Sequence, residues 1–149
     1  MNIVSRFTKF RSLIDKLQWF PLLLARFVVG MVFVESGWGK LHNLEKVTEY
    51  FTSLGLSHPS FQAHLVACTE LCAGSLLLLG LFMRLACIPL SIIMVVALVT
   101  AKASDITEFT DIFSLSEFLY IVVFVFLMTY GPGLISLDQM IWKRLKTDY

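Results

Sequence analysis

No two cysteines in this chain have the C-x-x-C spacing of a redox motif, and no side chains form a defensible nucleophile–base constellation. Linkers, low-complexity tracts and internal repeats are also missing, so a single domain over residues 1–149 is expected. Twelve Lys and Arg against eleven Asp and Glu leave a net charge of +1, which excludes the broad basic surface that nucleic acid requires. What the chain has instead is apolar. Hydrophobic residues make up 57% of it, against roughly 45–50% in soluble domains, with 13 phenylalanines and a mean hydropathy of +0.78. These values point to an integral membrane protein.

A helix rises about 1.5 Å per residue, so about 20 apolar residues cross a hydrocarbon core of about 30 Å. Four segments qualify, at about 20–40, 61–82, 85–103 and 115–135, which predicts an all-α, membrane-integral four-helix bundle. Eight Lys and Arg (Arg6, Lys9, Arg11, Lys16, Arg84, Lys143, Arg144 and Lys146) fall on one side of these spans, and Lys40, Lys46 and Lys102 fall on the other. The positive-inside rule then puts both termini in the cytoplasm, with the protein in a bacterial inner membrane.

The basic N-terminal segment precedes an apolar run too long for a secretion signal, lacks a small-x-small cleavage site and is followed by further spans. It reads as an amphipathic interfacial helix with Phe7, Phe10, Ile14 and Leu17 on one face. "SLDQMIWKRLK" repeats that pattern at the C-terminus. Ser136 and Gln139 have capping-box spacing there, and Leu137, Met140, Ile141 and Leu145 form a stripe beside Trp142. In the longest loop, Leu44, Val47, Phe51 and Leu54 have helical spacing, so Asn43 to Leu54 is expected to lie as a short helix on the bundle.

At about 100° per residue, Arg26, Gly30, Phe33, Gly37 and Lys40 share one face of the first span. Ala63, Ala67, Glu70 and Gly74 share a face of the second. Glycines at such positions let helix backbones approach closely, making Gly30, Gly37 and Gly74 the expected packing contacts. An ionisable group near mid-bilayer costs at least ~2.5 kcal/mol, so Arg26 needs a partner, and Glu70 is expected to supply it. Such a pair either fixes helix register or marks a proton or ligand route, and the two readings are evenly matched. Glu117, Tyr120, Phe124, Met128 and Gly131 form the inward stripe of the fourth span. A Lys40–Glu117 contact is one reading of the polar groups at the outer end, and a solvated rim is the plainer one. At the inner rim, Arg84 and Asp138 are expected to form a structural polar pair.

Cys68 and Cys72 lie away from the Glu70 face and Cys87 lies in the third span. All three read as small packing residues. His64 and Cys68 find no further ligand at helical spacing, which argues against a metal, and an axial haem histidine is the weakest alternative.

The pattern R-x3-G-x2-F-x3-G-x2-K from Arg26 to Lys40 resembles the opening helix of the DoxX family of small bacterial membrane proteins. "ELCAGSLLLLGLFMRLA", Glu70 to Ala86, is similar to that family's second helix, with Ala73 where glycine is common. "GPGLISLD", Gly131 to Asp138, resembles its closing signature. The resemblance implies a four-helix membrane fold with Arg26, Lys40, Glu70, Arg84 and Asp138 as matched polar positions. It also implies kinship with subunits of thiosulfate:quinone oxidoreductase, with membrane parts of thiol or oxidative-stress complexes and, more widely, with eukaryotic endoplasmic-reticulum cargo or chaperone proteins.

Two functions follow as expectations. The first is an oxidoreductase subunit that meets the quinone pool and a partner protein, with Arg26, Glu70, Lys40 and Glu117 as ligand or proton-relay candidates and quinone as the candidate cofactor. The second is a non-enzymatic assembly or carrier subunit, binding a partner protein or small ligand in the bundle core. No catalytic residue is assigned in either.

Overall fold

A computed structural model of the chain describes residues 11, 17, 19–133 and 136–147. Among the described residues every regular element is helical. The elements are α1 (Trp19–His42), α2 (Leu44–Ser53), α3 (Pro59–Leu79), α4 (Met83–Val99), α5 (Ser116–Tyr130) and α6 (Leu137–Thr147). Two 3₁₀ turns, Ala103–Asp105 and Phe109–Ser114, join α4 to α5. The expected N-terminal amphipathic helix, with Phe7, Phe10 and Ile14, lies outside the described residues.

Local chemistry sets the helix ends. Pro59 opens α3 at a position whose N–H has no intrahelical acceptor in any case, and Gly80, at φ 64°, closes it in the left-handed region. The turn to α4 is short, and it holds Phe82 at φ 48°. At Gly131 (φ 81°) and Pro132 the chain can no longer continue α5.

These stops shorten two of the expected spans. The segment expected over 85–103 is helical only over the 17 residues of α4, because the chain turns into the 3₁₀ segment after Thr100. The segment expected over 115–135 is helical for only the 15 residues of α5. By length and hydropathy, α1 and α3 can cross a hydrocarbon core, whereas α4 and α5 are shorter apolar helices.

α1 lies along α3 and α4 lies along α5, with α3 against α4, α1 against α5 and α2 resting on α3. Between the four long helices sits a core that includes Val29 and Phe33 of α1, Leu77 of α3, Met83, Cys87 and Leu90 of α4, and Phe124 and Leu127 of α5. The ring of Phe33 meets Tyr120 and Phe124 at centroid distances of 5.4 and 5.3 Å, joining α1 to α5. α2 turns Leu44, Val47, Phe51 and Leu54 inward and leaves Glu45, Lys46 and Glu49 exposed.

α6 is tied to the α3–α4 turn, since the Asp138 N–H donates to the Gly80 carbonyl at 3.1 Å. The Ser136 hydroxyl accepts the Gln139 N–H at 3.2 Å, capping α6. Leu137, Met140 and Ile141 are exposed on this helix. The side chains of Trp142 and Leu145, which belong to the same expected stripe, lie outside the described residues.

Candidate functional site: a polar cluster beneath an apolar cavity

Glycines fix how α1 and α3 face each other. A Cβ on Gly37 would stand 2.5 Å from the Leu71 nitrogen and 2.8 Å from the Ala67 carbonyl oxygen, and one on Gly74 would stand 2.9 Å from the Val34 nitrogen. Gly30 faces Gly74 and Leu78. This antiparallel register puts Glu70 level with Ser36 and Gly80 level with Arg26.

The expected Arg26–Glu70 pair does not form in this register. Ten residues of α1 separate the two levels, about 15 Å along the axis and beyond the reach of a guanidinium. Glu70, 2% exposed, instead forms an ion pair with Lys40. The Lys40 ammonium also donates to the Ser36 hydroxyl at 2.6 Å, one helical turn back. Lys40 therefore folds inward, away from the solvated rim, and it bonds to Glu70, not to Glu117. Glu117 accepts from the neighbouring Ser116 hydroxyl at 3.1 Å.

Arg26 is buried at the opposite end of α1. Its Nη1 donates to the Pro132 carbonyl at 2.7 Å, and a Cβ on Gly80 would lie 2.5 Å from that nitrogen. Arg26 thus sits among the α3–α4 turn and the Gly131–Gly133 exit of α5. This makes it a fastener of three chain segments at one level.

The expected Arg84–Asp138 ion pair is also replaced. Both residues line an open cleft of about 730 Å³ at the Arg26 end, yet the Asp138 carboxylate accepts the backbone N–H of Phe82 at 3.0 Å. Arg84 packs over Gly131, its Nη2 3.4 Å from where a Cβ would stand. Asp138 serves a backbone donor at the start of α4, a need that periodicity along α6 does not show.

Lys40 and Glu70 border a cavity of about 670 Å³, lined by α1, α3, α4 and α5 and roofed by Tyr50 and Phe51 of α2 and by Leu54 just after it. Its walls are mostly apolar, with Phe33, Val66, Ile93 and Met94 among them, while Ser36, Gln62, Tyr120, Lys102 and Glu117 add polar atoms. Lys40 and Glu117 share this cavity without touching. Lys102, in the turn after α4, is held in its charged form to higher pH than usual by its hydrogen bond to Asp105 and by the charges of Asp105 and Glu117. The arrangement gives an apolar volume with a buried carboxylate and a half-buried ammonium paired at one wall. It suits a ligand that has an apolar body and a small hydrogen-bonding head.

Ser36 and Gln62 escape a reading of single helices, whereas α2 lies on the bundle as expected and forms the roof of the cavity. Ser36 carries one usable signal, its i, i+4 spacing to Lys40. Gln62 acquires its place only when α3 meets α4 and the outer loop. His64 is exposed and bonds to the Ser60 carbonyl one turn back, Cys68 and Cys72 are exposed, and Cys87 is buried in the core.

The DoxX family model matches residues 21–103, from the start of α1 to the turn after α4. "Putative oxidoreductase CatD" of Bacillus subtilis is 29% identical over 126 residues, covering 83% of this chain and 89% of that protein. "Uncharacterized membrane protein Rv3486" of Mycobacterium tuberculosis is 30% identical over 134 residues, covering 83% of this chain and 82% of that one. "Inner membrane protein YqjF" of Escherichia coli is 26% identical over 139 residues, covering 87% and 98%. No solved structure matches the chain. With more than half its length matched by the family model and its register glycines, Arg26, Lys40 and Glu70 all inside that match, the chain belongs to the DoxX family of membrane proteins.

Proposed function

We propose that this protein is the membrane subunit of a quinone-linked oxidoreductase, with its four long helices spanning the inner membrane as a bundle and both termini in the cytoplasm. The observation that supports this reading most is the apolar cavity with the Lys40–Glu70–Ser36 cluster in its wall. A quinone head needs an apolar slot, a donor for a carbonyl oxygen, and a group that exchanges protons as the ring is reduced or oxidised. The Lys40 ammonium has three protons, two of them engaged with Glu70 and Ser36, and the third is free to serve that oxygen. Glu70 holds Lys40 in place and completes a pair through which a proton can pass. Electrons come from a partner protein, and the oxidoreductase name of the Bacillus relative is carried to this chain on these terms alone.

The test is titration of the detergent-purified protein with a short-chain, water-soluble naphthoquinone or benzoquinone, followed by the quinone absorbance and by tryptophan quenching. Saturable binding is expected, together with about tenfold weaker binding when Lys40 and Glu70 are both replaced by Met. No saturable binding of either probe to the folded wild type would overturn the proposal.

A further inference from the structure

We propose that the cavity opens sideways between α3 and α4, and that its ligand is an amphiphile drawn from the bilayer whose chain stays in that opening while its head rests at Lys40. This rests on the function proposed above and adds the route and the class of ligand.

Five large apolar side chains that line the cavity are exposed, and three of them lie on the facing helices α3 and α4, Leu65, Ile92 and Val96 at 49%, 58% and 42%; the others are Tyr50 of α2 at 49% and Val32 of α1 at 36%. They are wall and outer surface at once. Counting back from the short turn at Gly80–Phe82, the antiparallel pairing of α3 with α4 sets Glu70 about level with Ile92 and Val66 about level with Val96. The opening therefore lies beside the ion pair, at its own height.

The alternative mouths are less open or less apolar. The seam between α1 and α5 is bridged by the contacts of Phe33 with Tyr120 and Phe124. The end under α2 is roofed by Tyr50, Phe51 and Leu54, and Lys102 and Glu117 stand near it. A chain of methylenes leaving the cavity there passes charged groups, whereas between α3 and α4 it meets Leu65, Ile92 and Val96. Methylenes are kept from water along the apolar path, so that path is the favoured one.

The experiment compares two probes on three proteins in lipid vesicles: a water-soluble short-chain quinone and a quinone with a long isoprenoid chain preloaded in the bilayer. The proteins are the wild type, Leu65→Trp and Ile92→Trp. Both variants place bulk at an exposed position, and retained binding of the short-chain probe reports that they are folded. The expected result is long-chain occupancy slowed by either Trp about tenfold or more beyond whatever change that Trp makes in short-chain affinity. Unchanged long-chain occupancy in both variants, with short-chain binding intact, overturns the lateral route and leaves the quinone reading standing. Equal loss of both probes in both variants likewise overturns it, since the opening would then not discriminate by chain. Absence of short-chain binding in the wild type overturns the quinone reading itself.

Discussion

Two glycines of one short motif, Gly37 and Gly39, differ in everything except residue type. A Cβ at Gly37 would press on the backbone of Leu71 and Ala67, which cannot turn aside, whereas at Gly39 nothing lies within 4 Å. Gly37→Ala is therefore expected to cost about 1–3 kcal/mol through overpacking of α1 against α3. Gly39→Ala is expected to be neutral or to stabilise by up to about 1 kcal/mol, since alanine is the better helix former. Denaturation in detergent micelles, followed by helical circular dichroism, separates the two. A similar contrast holds for the charges. Replacing Lys40 alone strands the buried Glu70 in a low-dielectric wall, an expected loss of about 3–5 kcal/mol, replacing Glu70 alone is expected to cost less because Lys40 is half-buried, and replacing both with Met is expected to recover most of the loss. A matching cycle between Arg26 and Glu70 should show additive losses, because the two lie at opposite ends of the α1–α3 contact. Strong coupling in the second cycle and none in the first would reverse the assignment of partners.

The turn after α4 shows how an element outside the long helices is held. Asp111 accepts the N–H of Glu108 at 2.8 Å, and the N–H and hydroxyl of Thr107 at 2.9 and 2.8 Å. Those bonds hold its carboxyl below the ordinary value of 3.8. A depressed carboxyl contributes stability that is complete above its unfolded pKa, about 3.9, and that is lost as pH falls through the lower folded value. Amide exchange at Thr107 and Glu108, corrected for intrinsic rates, is thus expected to stay protected from neutral pH into mild acid and to lose protection only below 3.8. In Asp111→Ala the protection should be low throughout, with no acid step. At this scale the sequence is legible where one helix face decides the outcome. Leu44, Val47, Phe51 and Leu54 mark α2, and Ser136 with Gln139 marks the cap of α6. It is not legible where two elements decide. The i, i+3 and i, i+4 spacings place Arg26 and Glu70 on inward faces but carry no information on axial register. That register follows from which glycine backbones meet. Asp138 likewise answers to the N–H of Phe82, which belongs to the turn between α3 and α4.

Across the whole molecule, the all-helical class and the order of the long helices can be read from hydropathy, while the shortness of α4 and α5 depends on turns that hydropathy averages over. The proposed topology makes a plain prediction: an alkaline phosphatase fusion after Tyr149 should be inactive and a cytoplasmic fluorescent fusion at the same point should glow, following the Lys and Arg asymmetry. The reverse pattern would invert the bundle and put the Lys40 end of the cavity on the cytoplasmic side. The helices of the two pairs, α1 with α3 and α4 with α5, also differ in length. α1 and α3, with 24 and 21 residues, reach about 36 and 32 Å, whereas α4 and α5, with 17 and 15, reach about 26 and 22 Å. Under the proposed spanning arrangement, the surrounding lipids cannot keep one thickness around the protein. They must be pinched beside α4 and α5 and relaxed beside α1 and α3, at a cost of a fraction of a kcal/mol per ångström of mismatch. Such a wedge sits most easily in a thin membrane, and in a thicker one it gathers shorter acyl chains along one flank only. The molecule would then carry an annulus whose composition changes from one side to the other.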